Sequence, residues 1–179
     1  MAKVLFFLLL ATTLLADALE LPLRSIESVR SLSDEEAAKR HTAELEGTVL
    51  FVYSKHSAII LHDGTGSCWV GASSPLNKNI KYGSKVRVTG ATYVENSYLA
   101  NIRGATAEYL GEGSIPEPRV ARAEDLFAKW IDTQWIQMEA LVVGTEEDGL
   151  AFTLVLDIAG KIFKADVPFE PDSEKRAAV

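Results

Sequence analysis

Between Ala43 and Val70 apolar and polar positions alternate, break and alternate again, and the rest of the chain is organised around that stretch. In AELEGTVLFVY, Leu45, Gly47, Val49 and Phe51 share one parity, while Thr48, Leu50 and Val52 share the other. Period-2 alternation broken by turn residues is the pattern of half-buried strands. It predicts a long first strand, a short loop, a second strand ending at Asp63, and a third running through Val70. The turn Asp63-Gly64-Thr65-Gly66 has two glycines that accept positive φ, as tight hairpins require. Asp63 reads as a turn former whose carboxylate accepts backbone N–H groups, rather than as a catalytic acid.

The alternation resumes after a polar connection from Gly71 to Gly83. Lys85 to Tyr93 predicts a fourth strand, with Gly90 as a bend where the sheet curls. Asn96-Ser97 turns the chain, and Tyr98 to Leu110 predicts a fifth strand interrupted at Gly104. Short strands in this order predict an all-β fold with short helices, a five-stranded OB barrel over residues 43–112. By parity, Leu45, Gly47, Val49, Leu61, Cys68, Val70, Val86 and Val88 point inward. Ile60, His62, Trp69, Lys85, Arg87 and Thr89 point outward, and a β-bulge is expected near Gly47.

The flanks differ from the barrel in character. Residues 1–18 read as a signal peptide: Lys3, an apolar run from Val4 to Leu15, then Ala16-Asp17-Ala18 as a cleavage site. The run is too short for a comfortable bilayer span, so the expectation is export to the periplasm or outside, with no stable span in the mature chain. Residues 19–42 form a lead-in segment. Ser33 with Glu36 predicts a capped short helix there, and Ile26, Val29 and Leu32 recur at spacing three for packing on the barrel. Residues 113–122 hold two prolines and read as a linker.

Beyond the linker, residues 123–179 predict a partial second OB-like unit. Ala123 to Ile131 is helical in pattern, with Leu126, Phe127, Trp130 and Ile131 on one face. WIQMEALVVGT then predicts a strand turning at Glu147-Asp148-Gly149, followed by strands over Leu150–Ile158 and Lys161–Val167. LEGTV at Leu45–Val49 corresponds to MEALV at Met138–Val142, an internal repeat. The second copy has three strands and a charged tail, Phe169 to Val179. A barrel lacking its closing strands leaves edges unpaired, which points to a fragment of a longer protein.

Charge and chemistry narrow the function. Removing residues 1–18 takes away Lys3 and Asp17, so the net charge stays at −7, which disfavours a phosphate backbone as partner. Between Ala43 and Glu112, six Lys and Arg balance six Asp and Glu. Cys68 is the only cysteine, excluding an intrachain disulfide, and its strand position predicts a buried thiol. Nucleophile-elbow, zinc-protease, phosphate-loop and redox dithiol motifs are missing, and His56, His62 and Cys68 match no common zinc spacing. The expectation is no catalysis, no metal and no cofactor. The one constellation with binding chemistry is Ile60, His62, Trp69, Lys85 and Arg87. It lies on the strand 2–3 face and the neighbouring strand, where OB barrels usually meet oligonucleotides or sugars.

Five segments carry a resemblance: LEGTVLF (Leu45–Phe51), ILHDGTGSCWV (Ile60–Val70), YGSKVRVTG (Tyr82–Gly90), LGEGSIPEPR (Leu110–Arg119) and DTQWIQMEALV (Asp132–Val142). In this order they resemble the tandem OB-fold modules at the exported N-terminus of bacterial sensor histidine kinases and related periplasmic proteins. The resemblance implies a complete second barrel and a membrane-linked signalling portion further along, and brings no catalytic residues. The expected function is therefore a non-catalytic exported binding or interaction module of a sensor-type protein. Its partner would be another protein domain or a small extracellular ligand. The alternative is an oligonucleotide-binding OB protein using Trp69, Lys85 and Arg87.

Overall fold

The first strand is long because it serves two partners. In the computed structural model, β1 (Thr42–Tyr53) pairs through Thr42–Thr48 with β4 (Ser84–Tyr93), and from Thr48 onward with β2 (Ala58–His62). β3 (Ser67–Ala72) follows β2 across the Asp63–Gly66 turn, and β5 (Asn101–Glu112) lies parallel to β3 and antiparallel to β4. The order β1-β2-β3-β5-β4 closes on itself, giving an OB-like barrel. The structure describes residues 21–53, 56–94, 99–147 and 151–168. The signal-peptide stretch, the Asn96-Ser97 turn, the Asp148-Gly149 turn and the tail from Phe169 lie outside them.

Parity sorts the side chains as the sequence predicts. Leu45, Val49, Leu61, Cys68, Val86 and Val88 have no exposed surface, and Val70 retains 2%. Ile59, Ile102 and Ala105 complete the interior. The register shift in β1 falls between Val49 and Phe51, beyond the expected position at Gly47. Gly47 stays paired with Val86, and a Cβ there would run into the His62 carbonyl. Gly90 bends β4 as expected, since a Cβ would sit 2.6 Å from the Ile102 side chain and the ladder shifts between Thr89 and Ala91.

The lead-in holds two short helices where one was expected. α2 (Asp34–Ala38) starts as predicted, with Ser33 Oγ accepting from the Glu36 N–H at 3.2 Å. The Glu36 carboxylate turns to Lys39 and His41. α1 (Ile26–Arg30) precedes it and buries Ile26 and Val29 completely in the barrel core. Asp63 is the anchor: its Oδ2 accepts from the Ile26 N–H at 2.7 Å, while Oδ1 accepts from Thr65 N–H at 2.8 Å. One carboxylate thus shapes the hairpin and caps the helix.

After the barrel the structure departs from the sequence reading in three places. The stretch assigned to a linker contains β6 (Arg119–Val120), which pairs in parallel with β7 (Ile136–Gln137). The expected helix over Ala123–Ile131 is two 3-10 turns, Ala123–Phe127 and Lys129–Ile131, broken by the extended backbone of Ala128. Its apolar residues therefore diverge. Trp130 lies 3.9 Å under the Arg119 guanidinium, while Phe127 meets Phe163 at 6.0 Å between ring centroids.

The strand expected across WIQMEALVVGT is split at Met138–Ala140. Arg119 and Ala121 donate to the Trp135 and Gln137 carbonyls (3.0 and 2.9 Å), drawing the first part away from β8 (Leu141–Glu147). The LEGTV–MEALV repeat consequently lies within one strand in the first copy and straddles a break in the second. β8, β9 (Ala151–Ile158) and β10 (Lys161–Pro168) form a three-stranded antiparallel sheet, the incomplete second unit.

Val88→Asp would place a carboxylate in the closed core and is expected to cost several kcal/mol, on the order of the barrel's whole stability. Arg87→Ala, next door on the outer face, is expected to leave the thermal midpoint almost unmoved. Circular dichroism melts of the two variants check the face assignment.

Candidate functional site

The sheet divides the five candidate residues. Ile60 pairs with Phe51 on one side and Trp69 on the other, and His62 pairs with Thr48 and Ser67. Lys85 and Arg87 lie across β1, on β4, opposite Thr48 and Glu46. The row is continuous along the outer surface, but its chemistry is already engaged. The Trp69 indole folds over Gly71, where a Cβ would collide with it. His62 Nδ1 meets Ser67 Oγ at 3.1 Å, and burial holds the imidazole below its usual pKa.

The two cations are neutralised where they stand. Arg87 donates from Nε and Nη2 to Glu46 Oε1 (3.0 and 2.7 Å) and from Nη1 to Glu108 Oε2 (3.0 Å). Hydrogen bonding to Arg87 lowers the Glu46 pKa, and Glu46 in turn raises that of Arg87. Lys85 Nζ lies 3.8 Å from the same Glu46 carboxylate. These pairs are exposed and contribute little to stability. They do remove the free positive charge that single-strand binding needs.

A second arrangement, missed by sequence reasoning, lies against this face. Asp132–Trp135 crosses the outer surface of β1–β3 as a strap. Leu50 and Ile60 have outward parity yet are only 4% and 9% exposed. With Phe51, Tyr53 and the four strap residues they line a cavity of about 380 Å³. Trp135 also approaches Tyr82, with 6.3 Å between ring centroids.

The strap is held by Arg30, from the last turn of α1. Its side chain is 10% exposed. Nη1 donates to the Ser67 carbonyl (2.9 Å) and to Thr133 Oγ1 (2.8 Å), and Nη2 donates to the Asp132 carbonyl (2.8 Å). Gln134 Nε2 also donates to the Ser67 carbonyl, at 3.2 Å. Ser67 opens β3 opposite His62 and is fully buried, so these donors satisfy its carbonyl oxygen where water does not reach. Thr133 adopts φ +60°, a left-handed conformation that a β-branched residue avoids unless its surroundings impose it.

Two polar atoms in the strap are left over. Asp132 Oδ2 and Trp135 Nε1 are buried and meet no hydrogen-bond partner among the described residues. The Asp132 carboxylate faces Arg30 Nη1 at 4.0 Å, too far for a hydrogen bond. Burial raises its pKa, with Arg30 opposing only in part. Cys68, beneath this region, is fully buried as expected, and burial pushes its thiol up to about 12, out of reach of nucleophilic chemistry.

Among the described residues no three or more His, Cys, Asp or Glu gather as a metal site, and no helix is long and apolar enough to cross a membrane. No protein-family model and no curated protein matches the sequence. No local signal marked the strap: Arg30, Asp132 and Thr133 are ordinary residues whose meeting depends on contacts more than a hundred positions apart.

Arg30→Met should release the strap and destabilise the chain by about 2–4 kcal/mol, because charged and carbonyl groups lose partners in a dry site. Urea denaturation followed by tryptophan fluorescence measures this. Asp132→Asn tests the raised carboxyl. The folded chain holds that proton more tightly than the unfolded chain, so the group favours folding in acid and loses that contribution as pH rises through its raised pKa. The variant should match the parent's melting temperature below about pH 4 and exceed it at neutral pH.

Proposed function

We propose that this chain is a non-catalytic, exported binding or interaction module of a sensor-type protein. The observation that carries the reading is the state of the barrel's outer face. Its cations are tied to Glu46 and Glu108, and its apolar centre lies under Asp132–Trp135. An oligonucleotide reader needs open aromatic platforms beside unpaired positive charge. Here the same surface instead carries an open cleft beside the strap.

The second unit supports an interaction role as well. Leu141, Val142 and Val143 are 65%, 50% and 50% exposed in succession along β8, and Ile162 on β10 is 61% exposed. Leu141 and Ile162 share one face of the sheet, both opposite Asp157, and exposed apolar residues placed so suit contact with another protein domain. Export rests on the apolar N-terminal run and its cleavage pattern, and the sensor context on the ordered segments that resemble periplasmic tandem OB modules.

Titration with short single-stranded oligonucleotides at low ionic strength tests the reading against its alternative. No saturable binding is expected. Saturable binding that weakens steeply with added salt, and is lost in Lys85→Ala and Trp69→Ala, would replace the module by a nucleic-acid binder.

A further inference from the structure

The cavity under the strap has the make-up of a ligand site. Its volume of about 380 Å³ falls in the range of small-molecule pockets, which are mostly apolar with a few placed polar groups. Leu50, Phe51, Tyr53 and Ile60 supply the apolar wall from the barrel. Phe51 and Tyr53 are tilted neighbours, with ring centroids 4.5 Å apart, and Trp135 faces them from the strap side of the same cavity. Three aromatic rings around one space are the surroundings that attract an organic cation.

The polar groups agree in sign. Among the described lining residues Asp132 is the only carboxylate, and none is cationic. Arg30 Nη1 stands 4.0 Å from Asp132 Oδ2, and three of its N–H groups are given to the Ser67 carbonyl, Thr133 Oγ1 and the Asp132 carbonyl. Among the described residues Asp132 Oδ2 accepts no hydrogen bond and Trp135 Nε1 donates none. Buried polar atoms left without partners are costly, and both belong to side chains that line this one cavity. An anionic ligand would face the Asp132 carboxylate with no cationic side chain among the described lining residues. A cation meets a carboxylate and aromatic faces together.

We propose that this cavity binds a small organic ammonium ion, with Asp132 as its counter-ion and Phe51, Tyr53 and Trp135 surrounding its body. The inference deepens the binding-module reading and rests on it. Thr133 and Gln134 hold the strap to β3 and so set the width of the pocket.

The test is a pair of probes sharing one body and differing in charge, 2-phenylethylammonium and 3-phenylpropionate, titrated by calorimetry into the intact chain. Saturable binding of the ammonium and none of the carboxylate is expected. Asp132→Asn, which keeps the main-chain carbonyl that Arg30 holds, should weaken the ammonium by about tenfold or more. Trp135→Phe, which keeps an aromatic ring, should weaken it less, and far-UV circular dichroism establishes that both variants are folded. Equal binding of both probes, undiminished binding by Asp132→Asn, or binding of neither probe overturns the proposal. The oligonucleotide titration in the same buffer separates the two ideas. Failure of the ammonium with no oligonucleotide bound removes the ligand class alone, whereas salt-sensitive oligonucleotide binding removes the module reading beneath it.

Discussion

One guanidinium joins three parts of this chain that are distant in sequence. Arg30 leaves a five-residue helix, reaches the buried Ser67 carbonyl at the start of β3, and closes on the strap through a side-chain oxygen and a main-chain oxygen. A helix of that length does not persist alone in water. It is kept by Ile26 and Val29 in the barrel core and by Asp63, which accepts the first helical N–H. Asp63 positions the helix, the helix positions Arg30, and Arg30 positions the strap that lines one side of the cavity. Burying a cation is expensive, and the cost is offset here because its donors meet oxygen acceptors in place of water.

The barrel was legible because its physics is periodic. A strand with one buried face must alternate, so Leu45, Val49, Leu61, Cys68, Val86 and Val88 could be sorted from Ile60, His62, Trp69, Lys85 and Arg87 without knowing which strand pairs with which. The Asp63 turn was legible for a different reason, since Asp followed by two spaced glycines is local turn chemistry. The capped start of α2 at Ser33 belongs to the same class.

What could not be read depends on register or long-range meeting. That Arg87 is spent on Glu46 and Glu108 follows from a three-strand alignment of β1, β4 and β5, which parity alone leaves open. The apolar spacing of Leu126, Phe127, Trp130 and Ile131 suggested a helix. However, Trp130 is drawn to Arg119 and Phe127 to Phe163, and tertiary partners override a weak local preference. The strand across WIQMEALVVGT was broken in the same way, by donors from a segment that looks like a linker. The strap carries no periodicity at all, so its lodging on the face of β1–β3 had no signature to find.

The clamp also imposes an order in time. Arg30 lies before the barrel and its partners Asp132 and Thr133 lie after it, at separations of 102 and 103 residues. Contacts so far apart carry a loop-closure cost that nearer pairings avoid, so they form late. During synthesis every barrel strand has been made before Asp132 is added. The hairpin of β2 and β3 can therefore be complete while its outer surface is still bare. Until the strap arrives, Leu50, Phe51 and Ile60 face solvent, and the new barrel passes through a stage in which its stickiest face is uncovered.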